Sequence, residues 1–211
     1  MDKKEYLSVK DLTYLEYCDY LQNKYGIGLT DYMTKSFCAK KECRRTKDGL
    51  IAHHKAEDKM ILLSTEEVAR QCPFEWQKKD NIVYCDYLEH LLLHVLICKY
   101  PSPDKFPLAN VGYGGVVNFI IPELNDVYSG WETKQQWRKT CYDKVINDKE
   151  TYLLIIKQFI VVELGIDKKF DIKILFSSFN ENHNLWSNKY NKKIHKEIYD
   201  IYKSCKKIKQ G

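Results

Sequence analysis

Arginine is scarce in this chain. Of 34 basic residues, only positions 44, 45, 70 and 138 are Arg, and the rest are Lys. Together with the abundance of Asn, Ile and Tyr, this reads as the product of an AT-rich genome, such as a low-GC bacterium or its phage. No apolar run is long enough to span a bilayer. "LLLHVLIC" is too short and "YLLIIKQFIVVELGI" is interrupted by charge. The opening "MDKKEYLSVKDLTYLEY" has neither an apolar h-region nor a small-residue cleavage site, so a cytoplasmic, non-membrane protein is expected. Internal repeats and low-complexity segments are absent. The glycine cluster "GYGG" at 112–115 lacks the residues of a phosphate loop or a dinucleotide fingerprint, and reads as a turn or a tight packing point. No CxxC pair occurs. The eight cysteines are scattered and are expected to be reduced thiols that pack as small hydrophobes.

What remains is an ordinary globular composition, 44% hydrophobic and 30% charged, in 211 residues. That length supports a substantial core. The net charge of +5 permits a nucleic-acid partner without demanding one. Apolar spacing predicts a helix over 4–25 and a shorter one over 29–36. "LIAHH" and "NIVYC" read as short strands. "STEEVARQ" reads as a small helix with Ser64 as N-cap and Glu67 completing a capping box. "DYLEHLLLHVLICKY" is a helix stopped by "YPSPDKFP", and that proline-rich stretch is the best candidate boundary. Beyond it, "DKETYLLIIKQFIVVELGI" reads as helical from its glycine-terminated end, with a strand as the alternative for the β-branched "FIVVE". Residues 189–209 form an amphipathic helix with Ile194, Ile198, Ile201, Tyr202, Cys205 and Ile208 in one stripe.

Only six histidines are present, and four of them fall in "GLIAHHK" and "LEHLLLHVL". His90 and His94 are one helical turn apart on the same face, and two such imidazoles can bind one metal ion. His53 and His54 are adjacent on an extended stretch, so they point in opposite directions. One can face the metal while the other serves a different role.

The order His-His, Asn, His-x3-His resembles the HNH nucleases, also called ββα-metal or His-Me finger nucleases. It is most similar to the variant found in DNase-type colicins, with Asn81 nine residues before His90. The resemblance covers about residues 44–98. It implies a ββα-metal nuclease core (44–98); with the helices that the apolar pattern predicts on either side, the expected fold is α+β, mainly helical, with an N-terminal helical segment (1–43) and a mainly helical C-terminal region (99–211). The resemblance implies one divalent metal ion (Mg, Mn, Ni or Zn) held by His53, His90 and His94. It also implies His54 as general base and Asn81 as the residue that ties the hairpin loop and steadies the base. Arg44 and Arg45 would be clamps for the scissile phosphate, and Lys40, Lys41, Lys47, Lys55 and Lys59 could track a nucleic-acid backbone. Glu57 and Asp58 read as exposed loop charges or as acceptors for an imidazole. Glu89 reads as a surface or ion-paired residue. The implied activity is metal-dependent endonucleolytic hydrolysis, with DNA favoured, in restriction, phage or mobile-element defence, or toxicity. A homodimer, or a protein partner bound through the C-terminal region, would suit such a role. The alternatives are an RNA-directed nuclease, a degenerate nuclease fold that binds DNA or protein, and an interaction module whose histidines hold zinc structurally.

Overall fold

The computed structural model describes residues 1–107 and 109–208. Its centre is helix α4 (Tyr87–Lys99), all of whose residues except His90 and Lys99 are buried. Asp86 starts this helix as a capping box. Its carboxylate accepts from the amides of Leu88 and Glu89 at 2.8 Å, and the Glu89 side chain returns to the Asp86 amide at 2.7 Å. Around α4 pack α2 (Tyr14–Tyr25), the long α8 (Lys149–Ile166), and the consecutive α5 (Tyr113–Gly115), π-helical turn (Val116–Ile120) and α6 (Ile121–Tyr128). α1 (Lys3–Val9) and α9 (Lys192–Ile208) pack on α8, and α7 (Gln136–Asp143) packs on the turn Thr46–Asp48. Leu88, Leu91, Leu92, Val95 and Leu96 are fully buried. Each such side chain contributes roughly 1.5–3 kcal/mol of burial.

The sheet is small. β1 (Ile51–His54) and β2 (Ile82–Cys85) pair antiparallel in the register Ile51↔Cys85 to His54↔Ile82. β2 leads directly into α4, so a hairpin and the helix that follows it form one unit. The long connection between the strands carries the short helix α3 (Glu66–Ala69) and its own cluster of Ala56, Leu63 and Cys72. Segments 1–43, 44–98 and 99–211 share a single apolar core, with Tyr17, Leu92 and Phe159 in the same cluster. No helix among the described residues is long and apolar enough to cross a membrane.

Several expected elements differ. The 4–25 helix is two helices, because Thr13 caps α2 in a box with Glu16. Residues 29–36 are not helical. Their amides are taken otherwise: Leu29 N donates to the Tyr84 hydroxyl at 3.0 Å and Tyr32 N to Gln77 O at 2.7 Å, both distant, while Thr34 N donates locally to Cys38 O at 2.9 Å. α3 is capped at Thr65 and not at Ser64, without a side-chain cap bond. Glu89 is no surface residue. It is fully buried and ion-paired with Lys24 at 2.7 Å. The α9 stripe is buried at Ile194, Ile198, Tyr202 and Cys205, while the side chain of Ile208 and residue 209 lie outside the described residues. All eight cysteines are free, and only Cys38 is exposed.

Candidate metal centre

The pleat of β1 separates its two histidines as the alternation requires, but both faces are buried: His53 is 0% and His54 1% exposed. His53 turns toward α4. Its ring centroid lies 5.2 Å from those of both His90 and His94. The two helix imidazoles meet with Nε2 atoms 3.1 Å apart. Immediately after β1 the chain turns through the 3-10 helix Lys55–Asp58, which folds Glu57 back over the group. Glu57 Oε2 is 3.5 Å from His53 Nδ1 and 3.4 Å from His94 Nε2. Among the described residues, His53, Glu57, His90 and His94 are the one group of His, Cys, Asp and Glu donors close enough to share an ion, with all four ligand atoms within 4.8 Å of one another.

These donors fit a divalent cation. His53 Nδ1 is buried with no hydrogen-bond partner. Around one ion with nitrogen ligands at about 2.0–2.1 Å, neighbouring donor atoms stand roughly 2.8–3.4 Å apart, close to the spacings found. Burial drives the His53 pKa down to about 3 and those of His90 and His94 below their usual value. Burial disfavours charge on Glu57, but His53, His54 and His94 outweigh it and hold the carboxyl below the usual carboxylate range. At neutral pH the group is therefore a set of neutral imidazoles beside a carboxylate, the donor set that binds transition metals.

This arrangement has a pH consequence. A histidine whose folded pKa is depressed keeps its proton only when the chain unfolds, so its stabilisation is present above the unfolded value of about 6.5 and is lost as pH falls. For His53 alone the slope is ~1.4 kcal/mol per pH unit, down toward its folded value of about 3. In chelator, the urea midpoint is expected to drop between about pH 7 and about pH 5. An unchanged midpoint would contradict the burial of neutral imidazoles.

Two residues far away in sequence hold the β1 histidines. The Tyr14 hydroxyl lies 2.8 Å from His53 Nε2 and donates to His54 O at 3.2 Å. With its own proton so placed, Tyr14 accepts from His53 Nε2–H, which leaves His53 Nδ1 as the lone pair facing the group. Gln77 plays the same part for His54. Its Nε2 donates to Leu63 O at 3.0 Å, which fixes the amide so that Oε1, 3.1 Å from His54 Nε2, accepts that ring's proton. His54 Nδ1 is then the free base, 3.7 Å from Glu57 Oε1 and beside the donor cluster. Tyr32 packs edge-on against the His54 ring at 4.5 Å. Tyr14→Phe is expected to weaken metal binding about 10–100-fold, the usual cost of losing an outer partner of a ligating histidine. A metal titration of the variant with unaltered affinity would remove Tyr14 from the site.

The glycine cluster is a packing point, as expected, and it packs on this site. A Cβ on Gly115 would lie 2.5 Å from His94 Cε1 and Nδ1. Gly112, at φ +76°, faces the His94 carbonyl, where a Cβ would come within 2.8 Å. Gly115→Ala is thus expected to displace the His94 ring and lower metal affinity by about tenfold or more, on the same scale as lost ligand orientation. Native-like affinity in that variant would show that the loop does not set the ring.

The other expected site residues divide. Asn81 ties the connection between the strands by donating to Glu75 O at 2.8 Å, but it is Gln77 that holds His54. Arg44 is exposed, with no ion pair among the described residues. Arg45 is committed elsewhere. It bonds Asp48 at 2.8 Å and Tyr25 O at 2.6 Å and lies over the Tyr84 ring, so it is a structural residue and not a free phosphate clamp. Lys55 is likewise paired, with Asp19 at 2.7 Å. Glu57 and Asp58 are not exposed loop charges. Glu57 joins the donor cluster with its side chain 18% exposed, and Asp58 is buried. Tyr14 and Gln77 carry no local signal in the sequence. Glu57 does, as the fourth residue after His53. No protein-family model, curated protein or solved structure matches the chain.

Proposed function

We propose that the protein is a metal-dependent phosphodiesterase built on a ββα-metal nuclease core, acting on nucleic acid with DNA favoured. The observation that carries this reading is the division of labour in β1. His53 joins His90, His94 and Glu57 in a donor cluster, while the adjacent His54, held at Nε2 by Gln77, turns its Nδ1 to the edge of that cluster, 3.7 Å from Glu57 Oε1. A purely structural metal site has no need of a second, separately held histidine.

In this reading His53, His90 and His94 hold the ion, with Glu57 as a fourth donor. A divalent ion held there supplies charge stabilisation to a phosphoryl oxygen and to the leaving oxygen. His54 accepts a proton at Nδ1 from the attacking water, whose oxygen forms the new bond to phosphorus as the bond to the leaving oxygen breaks. Gln77 keeps the proton on Nε2, so the base always presents the same nitrogen. Arg44, exposed and without an ion pair among the described residues, would be the phosphate contact in this reading, which suits its planar fork of donors. Burial of the cluster excludes bulk water and strengthens each of these interactions.

One observation favours a second reading. Four protein donors would complete a tetrahedral shell around zinc, and structural zinc sites are closed in this way while catalytic ones keep a position open. Zinc would then be a folding element, and His54 a residue packed against Gln77. The test is incubation of the full chain with plasmid DNA and RNA in the presence of Mg²⁺, Mn²⁺, Ni²⁺ or Zn²⁺ in turn. Nicking or cutting that appears with an ion and stops with chelator supports the hydrolytic reading. Intact nucleic acid with every ion, alongside tight zinc binding, supports the structural one.

A further inference from the structure

We infer that the cavity beside the donor cluster binds an unstacked base of single-stranded DNA, with Phe119 as its stacking platform; this rests on the phosphodiesterase reading above. The cavity measures about 460 Å³ and has two walls. One comes from the 29–36 segment, β1 with the turn after it, and α4, with Tyr32, His54, Glu57, His90 and His94. The other comes from the region beyond the proline-rich stretch, with Gly112, Gly114, Gly115, Asn118 and Phe119. The C-terminal region therefore completes the site, and its glycines let it approach His94 closely enough to do so.

The lining distinguishes among substrates. No Lys or Arg lines the cavity. Contact with a nucleic-acid backbone, single or double, calls for cationic side chains, so this lining suits a base and not a phosphate. The mouth is apolar and aromatic instead. Phe119 is 52% exposed, Leu62 49% and Ile61 37%, three large apolar side chains open to solvent beside a polar centre. Leu62 is held at φ +59°, a left-handed conformation that costs energy for such a side chain and tends to mark ligand-clamping segments. Phe119 sits on the π-helical turn Val116–Ile120, a rare form of helix that recurs at functional sites. A base freed from its stack offers an apolar face for such a surface. Its polar edge can meet the exposed amide of Asn118, one residue away, which both donates and accepts. Bases inside a duplex keep their faces stacked and their Watson–Crick edges paired, and show only their groove edges.

The experiment is fluorescence anisotropy of a short labelled single-stranded DNA with the full chain in chelator. It is repeated with the matching duplex and the same-sequence RNA, and with Phe119→Ala and Phe119→Trp. Single-stranded DNA is expected to bind more tightly than duplex or RNA. Phe119→Ala is expected to weaken it by about 5- to 150-fold, the range for losing one base–aromatic stack, while Phe119→Trp restores it. Because Phe119 is half exposed, both variants should melt with the native protein. Equal or tighter binding of duplex or RNA, or a Phe119→Ala protein that binds as the native does, overturns the inference. A cleavage assay on the same single-stranded and duplex DNA separates the two levels. Metal-dependent cleavage without preference for the single strand overturns this inference and leaves the phosphodiesterase reading intact. Phe119-dependent single-strand binding without any cleavage removes the hydrolytic reading and upholds the base site.

Discussion

Replacing His94 with Ala is expected to remove metal binding and, with it, all metal-dependent hydrolysis. Its Nε2 lies 3.1 Å from that of His90 and 3.4 Å from Glu57 Oε2, so it touches two of the other three donors. Loss of a residue that merely orients a ligand costs about 10–100-fold in affinity, and loss of the ligand itself should exceed that. The helix should survive, because Ala favours helix more than His does and α4 keeps its capping box at Asp86 and its leucines. Two readouts check this. In a calorimetric titration the variant should show no saturable binding where the native protein does. In a melting experiment the native protein should gain stability with added ion according to its affinity, and the variant should not respond. A variant that still binds with native affinity would mean that the ion, if any, sits elsewhere.

What the sequence revealed of this site and what it hid follow from the range of the interactions. The i, i+4 spacing of His90 and His94 and the alternation of His53 and His54 are local geometry, and α4 and the two strands appear where the apolar pattern placed them. Glu57 was visible as a neighbour of the pair. Its place in the cluster depends on the 3-10 turn Lys55–Asp58, which folds it back against its own strand, and polar spacing alone does not specify that turn. Tyr14 and Gln77 reach the histidines across 39 and 23 residues of chain. Such contacts exist only once the core has assembled, so no window of sequence contains them. The break at Thr13 was legible, since Thr13 and Glu16 have capping-box spacing, but the apolar residues on both sides continue the helical period and conceal it. The 29–36 stretch shows the reverse. It carries a helix-like pattern, and tertiary hydrogen bonds to Gln77 and Tyr84 take two of its amides instead. The second wall of the cavity was beyond reach as well, because "GYGG" reads as a turn until His94 is found packed against it.

The second large effect falls on His54, the residue that separates a catalytic centre from a structural one. A positioned general base contributes about 10²–10⁴-fold to a proton-transfer step. His54 is not among the four donors of the cluster, and its ring is held by Gln77 and packed by Tyr32. His54→Ala should therefore lower the rate of DNA hydrolysis by about that factor while leaving metal affinity near native. His54→Gln, closer in size to the imidazole, should behave in the same way, which guards against a cavity at this buried position as the cause. The measurement is the single-turnover cleavage rate of the native and His54→Ala proteins at saturating metal, with bound metal quantified in the same samples. The account predicts equal metal content and a loss of cleavage of about 10²–10⁴-fold. Equal cleavage rates with equal metal content would contradict His54 as base, and metal lost along with activity would contradict its separation from the ligands.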